Sequence, residues 1–222
     1  MPQDPRRRAL LRSAAWSVPV LTAVTTAPAL AASVEQSVMS WSGFPSSSET
    51  GRLERPASQQ VGDTDVTAAL SRDDQLAQPT RNWTTADRRL RLQSNRDKLA
   101  GSLQIVTLTF AAPVTDVELT VEDIDRDKQR FQDEVFVPTD AAPTTGRVVG
   151  AALTGAGTPT SPFLAVGNGD ADPADPAHAV TLRWAGPVDE IRIAYRQGVR
   201  AKDSATPTVR LAPVRFTASS AA

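Results

Sequence analysis

SLQIVTLTFAAPVTDVELTVEDIDRDKQRFQDEVFVP, residues 102–138, decides the fold. Large apolar and β-branched residues alternate with polar ones through it, the signature of strands with one buried face. Val106, Leu108 and Phe110 share one face of a first strand, and Val117, Leu119 and Val121 one face of a second. Pro113 lies between them in residues 111–115 and cannot donate a ladder hydrogen bond, so it belongs to a connection and the pair reads as a hairpin. The odd-numbered apolar phase then ends at Val121, and the next apolar residue is Ile124, which predicts a bulge or bend at Glu122 and Asp123. Past that slip Asp123 and Asp125 flank Ile124, their Cα atoms roughly 6 to 7 Å apart by strand rise. A third strand carries Phe131, Val135 and Val137 on one face together with Asp133. A carboxylate in an apolar stripe costs several kcal/mol to bury without a partner, so Asp133 is expected at the strand's edge, beside a cation or hydrogen-bond donors.

Residues 180–195, VTLRWAGPVDEIRIAY, overlay residues 106–121, VTLTFAAPVTDVELTV, without a gap. Six of the sixteen positions are identical, among them Leu108 with Leu182 and Pro113 with Pro187. Two hairpin units 74 residues apart are too few for a solenoid and suit the two halves of a sandwich. The expected fold is therefore an all-β, antiparallel, jelly-roll-like sandwich with a duplicated hairpin unit. Further strands are read at residues 34–41, with Trp41 as a core anchor, at 65–70, at Leu90 and Leu92, and at 208–211 and 214–217. Residues 45–60 read as a Ser- and Pro-rich loop, and 71–89 as irregular, with a short helix near 72–77 and Trp83 pinning the loop. Trp184 and Tyr195 alternate like core residues.

The duplication also acts as an internal control. Where the first copy continues into Glu122, Asp123, Ile124 and Asp125, the second continues into Arg196, Gln197, Gly198 and Val199, so the hairpin itself does not require the acidic knot. Asp123, Asp125 and Asp133 can meet across the short connection 126–130, and three carboxylates of this kind are a candidate calcium site. The alternative is a solvated turn whose carboxylates cap backbone N–H groups or pair with Arg126, Lys128 and Arg130. A second acidic stretch, GNGDADPAD at 167–175, loosely resembles an oxygen-rich calcium loop through Asp170, Asp172 and Asp175. It lacks EF-hand spacing, and Pro173 and Pro176 give it the character of a rigid, solvated loop.

Residues 1–31 stand apart from this pattern. Arg6, Arg7 and Arg8, a weakly apolar run over 14–27 and Ala29-Leu30-Ala31 follow the order of an export signal, with cleavage expected near Ala31. The paired arginines resemble a twin-arginine signal, although Arg6 stands where Ser or Thr is usual. The run is shorter than a bilayer span and contains Pro19. Residues 32–222 then form one sandwich domain, expected to be extracellular and without a membrane span. Removing 1–31 takes four arginines and Asp4 from totals of 24 basic and 25 acidic residues, leaving 20 and 24 and a net charge of −4. That balance offers no basic field for nucleic acid. The absence of cysteine excludes disulfides, thiol catalysis and Cys-ligated metal. The single histidine, His178, reads as an exposed boundary residue and leaves little from which to build a Ser-His-Asp triad.

The strand pair F-x-x-P-V-x-x-V-x-L-x-V-x-D-I-D at 110–125, the D-x-V-x-V strand at 133–137 and the G-P-V-x-x-I-x-I-x-Y strand at 186–195 together resemble secreted actinobacterial surface proteins of the choice-of-anchor type. The resemblance covers residues 103–217 and implies a jelly-roll-like sandwich rather than any activity. This chain departs from it in ending at residue 222 with no hydrophobic anchor. The expected function is a secreted, non-catalytic module that binds a polysaccharide or cell-surface partner, with Ca²⁺ as a structural ion. A carboxylate-dependent glycan hydrolase is the alternative.

Overall fold

The computed structural model describes residues 36–44, 56–72, 83–84, 88–93, 103–127, 130–198 and 207–218. The chain falls into two compact units, Met1–Ser33 and Val34–Ala222, and every described residue belongs to the second. The strands in chain order are β1 Gln36–Met39, β2 Ala57–Val61, β3 Thr64–Arg72, β4 Trp83–Thr84, β5 Arg89–Gln93, β6 Leu103–Glu122, β7 Arg126–Asp127, β8 Phe131–Phe136, β9 Gly146–Val149, β10 Leu153–Thr154, β11 Leu164–Ala165, β12 Val180–Trp184, β13 Val188–Gln197, β14 Thr208–Leu211 and β15 Val214–Ala218. Single-turn 3-10 helices occupy Trp41–Gly43 and Pro176–His178. All strand pairs are antiparallel. The fold is all-β and sandwich-like, one large curled sheet wrapped around a single apolar core. No helix among the described residues is long and apolar enough to cross a membrane. The predicted export segment, residues 73–82 and 85–87 of the predicted irregular stretch with most of its helix, and the side chain of Trp83 lie outside what is described.

The curl centres on β6, whose two halves have different neighbours. Its first half pairs with β3 and β13, its second with β12 and β15, and its last residues with β14. This corrects the predicted hairpins. Residues 103–122 form one strand of 20 residues, and β12 and β13 do not pair with each other. Instead the duplicated arms lie side by side. Val106 faces Ile193 and Leu108 faces Ile191 on one half, while Leu119 faces Leu182 and Val121 faces Val180 on the other. The connecting residues explain the difference: Ala111, Ala112 and Pro113 include no glycine or asparagine to close a tight turn. They form an exposed irregularity, opposite which the register between β6 and β13 shifts from Val188 to Glu190. Pro113 is tolerated there because no ladder bond is demanded of it.

The faces read from the alternation are correct. Val106, Leu108, Phe110, Val117, Leu119, Val121 and Ile124 all belong to the core. Trp41 is fully buried and donates from Nε1 to the Ala212 carbonyl at 2.8 Å, and Trp184 is buried with Nε1 on the Ala142 carbonyl at 3.0 Å. Two other expectations fail. Residues 57–60, read as the end of a loop, belong to β2, a Gln- and Ser-bearing strand that pairs with β3 and whose polar side chains hid its alternation. Asp133 is not at an edge: it lies inside β8, 0 % exposed, opposite Gln197 of β13.

Candidate functional site

The site begins where β6 stops. Ile124 is drawn into the core, and its backbone is locked on both sides: its N–H donates to the His178 carbonyl at 3.0 Å, and its own carbonyl meets His178 Nδ1 at 2.9 Å. His178 is thus a half-buried clamp and not the exposed residue expected. The preceding residue takes up the bend, since Asp123 adopts a φ of 65°, a left-handed conformation that aspartate tolerates better than most residues. The predicted slip therefore ends the strand and turns the Asp123 and Asp125 side chains to the rim of a cavity.

The three predicted aspartates do converge. The Asp133 N–H donates to the Asp125 carbonyl at 3.0 Å, and the Asp125 N–H donates to Asp133 Oδ2 at 3.3 Å. Their carboxyl groups are also hydrogen-bonded to each other. Tyr195, itself buried, donates its hydroxyl to Asp133 Oδ1 at 2.7 Å. Burial is the main cause that pushes the Asp133 carboxyl far above the usual carboxylate range, reinforced by Asp125. Asp125 is also raised, by burial first, while its bond to Asp133 works in the opposite direction. Asp123 is pushed up to about 6 by burial and by the charge of Asp125, against the pull of Arg210. Both shifts favour a protonated Asp133 whose carboxyl is hydrogen-bonded to Asp125. Among the described residues, no group of three or more His, Asp or Glu side chains is arranged to enclose a metal ion.

The second acidic stretch, treated separately in sequence, joins the same corner. The Gly169 N–H donates to the Arg126 carbonyl at 2.8 Å, and the Ala171 N–H donates to Asp125 Oδ2 at 2.9 Å. Asp170 is hydrogen-bonded to Asp125, which brings a fourth carboxylate to the knot. Asp172 and Asp175 turn instead to their own backbone: Asp172 accepts from the Ala174 N–H and Asp175 from the Ala177 N–H, each at 2.9 Å. These are capping roles, as the rigid-loop reading supposes.

Beyond the carboxylates opens a cavity of about 380 Å³, walled by both acidic segments, by Phe131 and by arginines that sequence reasoning missed. Arg91 comes from β5 and Arg210 from β14, both from positions between buried apolar residues. Arg210 Nε lies 3.4 Å from Asp123 Oδ2, and on the same rim Arg130 Nε lies 3.9 Å from Asp127 Oδ2. One position back on β6, Glu122 pairs with Arg89 of β5. Asp123 is thus paired by a residue remote in sequence, while Arg130 pairs with Asp127. The signal was present in Arg-Leu-Arg-Leu at 89–92 and Val-Arg-Leu at 209–211, where period 2 places arginines on one outer face. Chemically the cavity offers guanidinium donors, carboxylate acceptors and one aromatic ring, the groups that bind a hydroxyl-rich polar ligand. No family model, curated protein or solved structure matches the chain.

Proposed function

We propose that the chain is an exported, non-catalytic β-sandwich module that binds a polysaccharide or another cell-surface component in the cavity beside Asp123 and Asp125. The observation that carries this is the cavity itself, where Arg91, Arg210, Asp123, Asp125 and Phe131 converge. The signal-like residues 1–31 and the resemblance to secreted surface proteins of the choice-of-anchor type support export. Calcium is the ion we assign to the knot. Carboxylate oxygens suit a hard cation, and an ion would offset the cost of ionising carboxyl groups that burial holds toward the protonated form. Both Asp133 oxygens already accept hydrogen bonds, so Asp123 and Asp125 would be the direct ligands and Asp133 the group that orients Asp125.

Glycan hydrolysis is the weaker reading. The two-carboxylate mechanisms place the acid and its partner roughly 5 to 9.5 Å apart across the scissile bond. Asp125 and Asp133 are hydrogen-bonded to each other, and Asp133 is sealed from solvent.

A binding screen of residues 32–222 against glycans and cell-wall fractions tests the module, with Asp123→Ala as control. Saturable binding weakened at least tenfold in the variant supports it, and absence of binding to every preparation removes it. Turnover of a labelled glycan, lost in Asp123→Ala, would promote the hydrolase.

A further inference from the structure

In β5 and β14, Arg91 and Arg210 stand directly opposite each other. Side chains in such a pair project from the same face with Cβ atoms about 5 Å apart, and like charges so placed repel. Their neighbours are matched: Arg89 with Glu122, Arg210 with Asp123, and Arg130 with Asp127. Arg91 Nε is closed off from solvent and has no hydrogen-bond partner, although the side chain lines the cavity, where its charge acts on Asp123. A guanidinium N–H withdrawn from water and left unbonded is costly, and two guanidinium groups lining one cavity present the planar donor sets that match a planar oxyanion.

We propose that Arg91 and Arg210 form a carboxylate clamp, so that the ligand of this cavity is an acidic saccharide whose uronate group lies between the two guanidinium groups. The inference rests on the saccharide-binding reading and specifies its ligand class. A carboxylate is favoured over a phosphate because Asp123, Asp125, Asp127 and Asp170 line the same cavity and repel a dianion more strongly than a monoanion. Those carboxylates remain as acceptors for sugar hydroxyls. The volume of about 380 Å³ leaves room for a ring beyond the anionic group.

The test is calorimetric titration of the full chain with galacturonate oligomers and with neutral galactose oligomers of equal length, repeated for Arg91→Gln and Arg91→Lys. The clamp requires the acidic oligomer to bind at least tenfold tighter than the neutral one, with most of that preference lost in Arg91→Gln, less in Arg91→Lys, and the wild-type preference shrinking as salt rises. Melting curves control for folding. Arg91→Gln removes both a repulsion from Arg210 and an attraction for Asp123, so a melting temperature kept near wild type shows that lost binding is not lost structure. Equal affinity for both oligomers, or an acidic preference unchanged in Arg91→Gln, overturns the clamp and leaves the saccharide reading standing. If neither oligomer binds, the clamp is overturned, and the saccharide reading then falls only if the glycan and cell-wall screen is also blank.

Discussion

Asp133 shows how one buried carboxyl is made tolerable. It is 0 % exposed, accepts from the Tyr195 hydroxyl at 2.7 Å and is hydrogen-bonded to the Asp125 carboxyl. Tyr195→Phe deletes that hydroxyl without creating a cavity and leaves Oδ1 without its donor, so a loss of about 1 to 3 kcal/mol is expected in urea unfolding. Asp133→Asn removes the titrating group instead. The amide oxygen still accepts from Tyr195 and the amide N–H₂ can donate to the Asp125 carboxylate, but in the place of Oδ2 it no longer accepts from the Asp125 N–H. The variant is therefore expected to lose stability through that orphaned N–H and to show a flatter pH profile than wild type. A wild-type profile retained in Asp133→Asn would remove the Asp133 proton from the account. Sequence alone identified Asp133 as anomalous because it broke an apolar stripe. It did not supply Tyr195 as partner, since that contact spans 62 residues and depends on β8 pairing with β13.

The duplicated arms are where the element reading succeeded in faces and failed in pairing. Period-2 alternation depends only on which side of the strand is buried, so Leu108, Leu119, Leu182 and Ile193 were legible as core. Pairing depends on partners distant in sequence, and the same alternation is compatible with a hairpin or with two arms laid against each other. Mutational coupling separates the two. In a hairpin about Pro113, Leu108 and Leu119 would be cross-strand neighbours; in the structure Leu119 faces Leu182 and Leu108 faces Ile191. Each Leu→Ala at these sites is expected to cost about 2 to 5 kcal/mol. A double-mutant cycle of Leu119→Ala with Leu182→Ala should show at least roughly 0.5 kcal/mol of coupling, and Leu119→Ala with Leu108→Ala less. A larger coupling in the second cycle would restore the hairpin. Residues 157–163, which hydrogen-bond to β8 and its extension through Val135 with Phe163 and the Val137 N–H with the Gly157 carbonyl, give a second test at this scale. Gly157 has a φ of +72°, and a Cβ there would lie 2.2 Å from the Phe163 ring. Gly157→Ala should therefore destabilise by about 2 kcal/mol or more, through both strain and displacement of a ring that is 1 % exposed.

At the scale of the whole molecule, the acidic corner links stability to pH and to calcium with opposite signs. Asp123 is raised from 3.8 to about 6, and Asp125 and Asp133 are raised as well, so without a bound cation the folded state holds more protons than the unfolded chain as pH climbs from 4. A group of this kind favours the fold below its unfolded value and loses that contribution as pH rises through its folded value. For Asp123 alone the loss between about pH 4 and pH 7 is on the order of 3 kcal/mol. In chelator, the melting temperature should accordingly fall across this range once the rest of the chain's titration is referenced to the Asp123→Asn, Asp133→Asn double variant. Calcium needs the carboxylates deprotonated, so its stabilisation must grow over the same interval. Millimolar calcium is expected to leave the melt unchanged near pH 4.5, to raise it at pH 7.5 and so to flatten or reverse the slope seen in chelator, with no such effect in the double variant. A falling profile identical with and without calcium would leave the corner held by protons alone. A profile that rises with pH in chelator would contradict the burial of all three carboxyl groups.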